Sequence, residues 1–463
     1  MTTSHRTRGP LDAPTIVRTR APGSTSRSLR PLERLGRTLA LRALGMVRHG
    51  SLTLIEADAT HRSPRAPEGA GGAVGVSAPH ATVRVLDARF YSAAAFGGST
   101  GLAEAYMDGL WETDDLPGLI ETLTVNYTAL TRLDGVGARL KGALDALRAL
   151  AMRNTFAGSR RNIRAHYDLG DEFFALFLDD SMLYSCAVFE NGAETLPEAQ
   201  REKIDRACRK LELRPEHHLL EIGSGWGAMA VHAAGEYGCR VTTTTISDRQ
   251  HDAAVRRVRE AGLGDRVTVL KEDYRNLTGT FDRVVSIEMI EAIGAAQIPV
   301  FFEKCSTLLK PDGALLVQAI VIRDQFFARA ARRIDFLKKY IFPGSCLPSV
   351  EAMTRAAAGR TDLRVWHTED IGPHYVRTLA LWREAFHARL DEVRDMGYDE
   401  RFIRMWDYYF AYCEGAFRAR HVGDVQMLWT KPLCRVAPVG APPGIAPGNA
   451  PGTAPAVAGV AVA

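Results

Sequence analysis

Apolar and polar positions along this chain follow two periods, and the change from one to the other marks its organisation. Residues 50–56 and 82–86 alternate as strands do, whereas residues 31–47, 102–107 and 116–126 carry helical spacing. Between the two strands the Gly/Pro/Ala-rich stretch 57–80 reads as a loop. A connector bearing Gly and Arg, roughly 133–154, leads into a more regular half. There, residues 218–222 are apolar and run into Gly223-Ser224-Gly225-Trp226-Gly227, followed by a helix over 228–237. Further strands are predicted at 240–246, 267–270, 281–287 and 314–322, with helices at 249–261 and 299–309. Strands alternating with helices predict an α/β domain built on a parallel, doubly wound sheet. Residues 375–417 read as helical and aromatic-rich, and the Ala/Pro/Gly/Val tail after Pro432 reads as disordered.

Length and composition add bounds. A chain of 463 residues with 46% apolar and 24% charged residues is an ordinary globular protein of two or three domains. A net charge of +4 is too small to argue for a nucleic-acid partner. The charge is uneven, however: ten arginines precede residue 49, against only Asp12 and Glu33. The first 29 residues bury little apolar surface and read as disordered. Three accounts stay open for them: a solvated tail, an organelle transit peptide, or a basic arm drawn to anionic lipid headgroups. The seven scattered cysteines (Cys186, Cys208, Cys239, Cys305, Cys346, Cys413, Cys434) suggest neither a disulfide frame nor a metal site. No apolar run approaches the roughly 18–20 residues that span a bilayer, so the expectation is a cytoplasmic protein that meets membranes at their inner surface. A monomer and a homodimer are both compatible with the sequence.

The glycine loop is the first chemical signal. Three glycines in a G-x-G-x-G pattern between a strand and a helix allow a tight turn and close approach of a ligand to the backbone. The loop is shorter than a dinucleotide cradle and suits the amino-acid part of S-adenosylmethionine, although a glycine-rich turn is also a common structural device. Thr245, Ile246 and Gln250 follow the second strand, where hydroxyl and amide groups can meet a ribose. Asp273 and Tyr274 follow the third, where a carboxylate can accept from an adenine amino group; alone, Asp273 is equally a turn residue. All of these sit at the carboxyl ends of adjacent strands, where open α/β sheets bind ligands.

Several segments in order carry a family resemblance. Arg164-Ala165-His166-Tyr167-Asp168-Leu169-Gly170, Tyr184-Ser185-Cys186-Ala187, Ser286-Ile287-Glu288-Met289-Ile290-Glu291-Ala292-Ile293-Gly294, Tyr340-Ile341-Phe342-Pro343-Gly344 and Gly415-Ala416-Phe417-Arg418 resemble the cyclopropane-fatty-acid synthase family, which includes the mycolic acid cyclopropane synthases. The resemblance implies a Rossmann-like class I methyltransferase domain over 151–436. Residues 100–109 resemble the small lipid-engaging α+β domain of phospholipid-modifying members, here expected within 30–150, with tails at 1–29 and 437–463. It also places His166, Tyr167, Tyr184 and Ser185 about the cofactor, with Gly223, Gly225 and Gly227 beneath it.

The implied reaction joins a one-carbon unit from S-adenosylmethionine to the double bond of an unsaturated acyl chain in membrane phospholipid. An alkene attacking a sulfonium methyl leaves a carbocation, so the site must exclude water and hold a base. Proton loss from the new methyl closes a cyclopropane; loss from a neighbouring chain carbon leaves a branch. In the family the base is a bound bicarbonate ion, and the resemblance assigns it to Cys186 (through its backbone), Glu291, Gln318 and Tyr375. Taken singly, Cys186 reads as a small buried apolar group, Glu291 as a helix-start charge, Gln318 as a core amide and Tyr375 as packing. The chain departs from the family at Thr243 and Thr244, which replace Gly and an aliphatic residue, and at Gln318, where many members carry histidine. Two alternatives stay open: a C-methyltransferase giving a methyl or methylene branch, and a non-catalytic lipid-binding relative.

Overall fold

The structure, a computed structural model, describes residues 16–17, 29–64, 79–130, 169–190, 192 and 194–437. The connector at 133–154, His166 and Tyr167, and most of both expected tails lie outside the described residues.

The amino-terminal unit is a five-stranded sheet backed by three helices. Its strands are β1 (Ile16–Val17), β2 (Ser51–Ile55), β3 (Thr60–Arg62), β4 (His80–Val85) and β5 (Trp111–Thr113), ordered β1-β3-β2-β4-β5. Its helices are α1 (Pro31–Leu44), α2 (Arg89–Met107) and α3 (Leu116–Val125). Two strands depart from the expectation. β3 falls inside the stretch read as a loop, because a tight turn (Glu56 N–H to Ala59 O, 2.7 Å) folds it back on β2. Three residues are too few to show a period, but the buried His61 anchors them through Glu56 (2.9 Å). Arg37 grips the same carboxylate twice, at 2.6 Å each, and Tyr91 donates to it as well. β1 pairs with β3 from within the segment read as a disordered tail. α2 begins earlier than its periodicity showed, because Gly98 (φ 61°) interrupts the helix and masks its first half.

The second unit is a seven-stranded sheet ordered β11-β12-β10-β9-β6-β7-β8. Strands β6 (His218–Ile222), β7 (Arg240–Thr244), β8 (Val267–Leu270), β9 (Phe281–Ile287) and β10 (Leu309–Ile322) pair in parallel, as the alternation with helices predicts. The sheet is not wholly parallel: β12 (Val422–Thr430) runs antiparallel between β10 and β11 (Arg364–Asp370). Neither was expected. β12 is buried along almost its whole length, so it lacks the alternation by which a half-exposed strand is read. The longer helices of this unit are α4 (Leu196–Lys210), α5 (Ala228–Glu236), α6 (Asp248–Glu260), α7 (Ile298–Leu308), α8 (Val350–Arg360), α9 (Gly372–Ala388) and α10 (Glu400–Arg418).

One apolar core runs through both units, joining Phe90, Trp111 and Leu119 to Phe173, Trp382 and Trp406. α3 lies so close to α10 that a Cβ on Gly415 would sit 2.6 Å from the Pro117 carbonyl. A polar pin adds to this contact: Tyr106 donates to buried Asp407 (2.6 Å), which also takes Arg383 and His387 at 2.7 Å each.

Candidate active site

The carboxyl ends of β6, β7 and β9 open onto a cavity of about 1340 Å³. The glycine loop leaves β6 with positive φ at Gly223 (98°), Gly225 (47°) and Gly227 (88°). The N–H groups of Gly223 and Ser224 both donate to the Thr244 carbonyl at 3.0 Å, which ties the loop to the end of β7. A Cβ on Gly225 would meet nothing within 4 Å, so the backbone there faces the open cavity. Gly227 instead lets the loop pack closely on α6: a Cβ there would approach Ala254 to 3.1 Å, and the residue does not line the cavity.

Thr245 donates to Gln250 Oε1 (2.9 Å), which leaves the Gln250 amide nitrogen as the group offered to a ligand. Asp273 is clasped by Arg275 (2.8 and 2.6 Å), so it presents only its remaining lone pairs. Tyr184 shares a hydrogen bond with Tyr409 (2.7 Å), and Ser185 accepts from wholly buried Lys203 (2.6 Å). Tyr184, Ser185, Thr245, Gln250 and Asp273 all line this cavity, with Ile246 and Tyr274.

Of the four groups expected around an anion, three converge, but on a side chain. Glu288 follows β9 directly, with φ 46°. Its Oε1 accepts from the Cys186 N–H (2.8 Å) and from Gln318 Nε2 (2.8 Å), and its Oε2 from the Tyr375 hydroxyl (2.7 Å). Gln318 Nε2 also donates to Asp424 (3.0 Å), and its Oε1 accepts from Gln426 (3.0 Å). The fourth, Glu291, accepts from the Ile320 N–H (2.5 Å) and leaves Oε2 buried with no hydrogen-bond partner among the described residues. Burial, and then the charge of Glu288, push its carboxyl up to about 8. Burial and Glu288 likewise raise Asp424. A bicarbonate ion held by Cys186, Gln318 and Tyr375 does not fit this arrangement, since the Glu288 carboxylate already takes all three donors. Cys186 and Gln318 lie behind it and do not line the cavity, whereas Glu288, Glu291 and Tyr375 do.

Glu288, Asp424, Gln426 and Lys203 were not picked out from the sequence. A signal existed for the first, a second glutamate three positions before Glu291 immediately after a strand. The others sit on β12 and on a polar helix, where nothing in the local pattern marks them.

A parallel Rossmann-type sheet with a G-x-G-x-G loop open to a cavity at its carboxyl edge defines a class I S-adenosylmethionine-dependent methyltransferase. The model of the mycolic acid cyclopropane synthetase family matches residues 156–427, and the chain belongs to that family. It is 36% identical over 372 residues to the cyclopropane-fatty-acyl-phospholipid synthase of Escherichia coli, covering 78% of this chain and 91% of that one. It is 35% identical over 395 residues to the tuberculostearic acid methyltransferase of Mycobacterium tuberculosis (81% and 89%). A mycolic acid cyclopropane synthase solved with SAH and CTAB superposes with a TM-score of 0.55 at 32% identity, covering 59% of this chain and 98% of that one. The protein is thus an enzyme of S-adenosylmethionine-dependent one-carbon transfer to fatty acyl chains.

Proposed function

We propose that the protein adds a methylene unit to the double bond of an unsaturated acyl chain in membrane phospholipid, giving a cyclopropane fatty acid. The observation that carries this is the continuity of the cavity. It runs from Gly225 and Gln250, past Glu288 and Tyr375, into apolar walls supplied by Leu44, Leu54, Val83 and Leu119 of the amino-terminal unit. An acyl chain lying along those walls brings its alkene to the glycine loop and the carboxylate together. Bound S-adenosylmethionine supplies a methyl group made electrophilic by the sulfonium charge. The chain's own residues do the rest: the loop places that methyl, the apolar lining excludes water from the cation, and the carboxylate cluster supplies the proton acceptor.

A phospholipid suits the rim. Arg329, Arg333 and Lys338 border the cavity and match a phosphate headgroup. Leu32 and Leu35 on α1 and Phe96 beside the α2 kink are exposed apolar side chains of the kind that dip into a lipid surface. No helix among the described residues is long and apolar enough to cross a membrane, so the contact we propose is peripheral.

A second reading, a methyl- or methylene-branched product, is favoured by Gln318 and by the likeness to the tuberculostearic acid methyltransferase over 81% of this chain. Mass spectrometry of lipids from cells with and without the protein tests both. A gain of CH₂ with loss of the alkene supports ring closure, and a gain with an alkene retained supports the branch. Unaltered lipid and no S-adenosylmethionine binding would leave a non-catalytic lipid binder.

A further inference from the structure

We infer that the Glu288 carboxylate is itself the base of the reaction, standing where the family resemblance places a bound anion. This rests on the transfer to an alkene proposed above. The first support is the geometry of its three hydrogen bonds. Cys186 N–H, Gln318 Nε2 and Tyr375 Oη approach it at 2.8, 2.8 and 2.7 Å, and all three donate. Asp424 also comes within hydrogen-bonding reach of this carboxylate, and Glu288 borders the cavity.

The second support is that the donors are set in order from behind. Lys210 Nζ can only donate, and it bonds Gln426 Oε1 at 2.7 Å. The Gln426 amide nitrogen must then donate to Gln318 Oε1 (3.0 Å), so Gln318 turns its own NH₂ towards Glu288 and Asp424. Two amides in series thereby fix a donor against this carboxylate.

Backbone conformation gives the third support. Glu288 is a non-glycine residue at φ 46°, a strained left-handed placement of the kind that concentrates at functional sites. Its N–H is secured to the Gln318 carbonyl at 2.8 Å. The other carboxyl facing the cavity, Glu291, is a poor rival. Burial pushes it up to about 8, so it holds a proton near neutral pH and cannot accept another.

The step balances as a proton transfer. The alkene pair bonds the methyl carbon, and the carbon–sulfur pair stays on sulfur. A C–H bond of the new methyl then breaks, its pair closes the ring onto the cationic carbon, and the proton passes to a Glu288 oxygen. Loss from an adjacent chain carbon to the same oxygen gives the branched alkene instead. The proton leaves to solvent before the next turnover.

The experiment uses the full chain with dispersed unsaturated phospholipid and S-adenosylmethionine, in buffer stripped of carbon dioxide and bicarbonate and then replenished. Wild-type turnover is expected to be the same in both. Glu288→Gln should bind S-adenosylmethionine by calorimetry as the wild type does, yet turn over roughly 10²- to 10⁴-fold more slowly. Glu288→Ala opens the space between the three donors, and added formate or bicarbonate should restore its rate in a saturable way. A wild type that slows on stripping and recovers with bicarbonate would overturn the assignment, as would a fully active Glu288→Gln. If Glu288→Ala melts early, the isosteric Gln variant decides alone. A wild type that transfers nothing in either buffer rejects the proposed function, and the base assignment with it.

Discussion

Gly225 sits with its missing side chain over open space, so two effects of substitution separate there. Gly225→Val carries the strain of a left-handed residue, about 1–2 kcal/mol, and its Cβ meets no neighbour within 4 Å. It is expected to stay folded by circular dichroism while losing S-adenosylmethionine binding in calorimetry; retained affinity would show the loop to be misassigned. Gln318 is less forgiving. Its amide donates to two carboxylates and accepts from Gln426 at once, and one imidazole cannot do all three. Gln318→His should lose a hydrogen bond to a charged group, about 1.5–3 kcal/mol or roughly 10- to 150-fold in turnover, with cofactor affinity unchanged. An unslowed variant would show that this amide does not hold Glu288. The glycine loop and Cys186 stand in segments that could be picked out of the sequence, whereas Gln318 and Tyr375 were reached only through the positions the resemblance implies. What they hold was harder to read: a second glutamate directly after a strand hinted at it, but Glu288 gains its place from a left-handed backbone turn that its own residue type does not announce.

At the scale of elements, the contact between α3 and α10 depends on one absent methyl. Gly415→Ala drives a Cβ into the Pro117 carbonyl and to 2.7 Å from Ile120 Cβ. It should lower stability by about 1–3 kcal/mol, the usual cost of overpacking, read as a fall in melting temperature. Because α10 also brings Tyr409 and Phe417 to the cavity, lipid turnover should suffer more than S-adenosylmethionine affinity. Equal melting of variant and wild type would mean the helices are free to part. β6 to β9 were readable almost to the residue because apolar runs ended at glycines or polar turns. The aromatic stretch of α10 was readable as helix but not in its division of labour: Trp406 and Phe410 serve the core alone, whereas Tyr408, Tyr409 and Phe417 belong to the core and, with Tyr412, also border the cavity. Which face of a helix meets a cavity depends on partners distant in sequence.

For the molecule as a whole, the shared core predicts one cooperative unfolding transition rather than two; two resolved calorimetric peaks would contradict it. Its stability should also vary with pH on both sides. Burial raises Glu221 and Glu291 from 4.5 to about 8. Between those values the folded state keeps protons that the unfolded chain releases, so stability falls as pH climbs and levels off above 8. Asp407 and Glu56 run the other way. Despite burial, His387, Arg383 and Tyr106 hold Asp407 down to about 2, and Arg37, Tyr91 and His61 do the same for Glu56. Their contribution is present above the ordinary carboxylate range and is lost as pH falls towards 2. Denaturant titrations should therefore show a maximum near the lower end of the window between 4.5 and 8, and Glu221→Gln with Glu291→Gln should flatten the alkaline limb. An unchanged limb in the double variant would remove buried carboxyls as its cause. The position of β12 has a consequence during synthesis. This strand is the last of the described strands to emerge from the ribosome, yet it slots between two strands already made and carries Asp424 and Gln426. Until it arrives, β10 and β11 each leave a bare edge open to mispairing, and Gln426, the first of the two amides behind Glu288, is missing. A premature stop before Val422 would leave the entire glycine loop in place and still yield a polypeptide that aggregates and cannot assemble its proton acceptor.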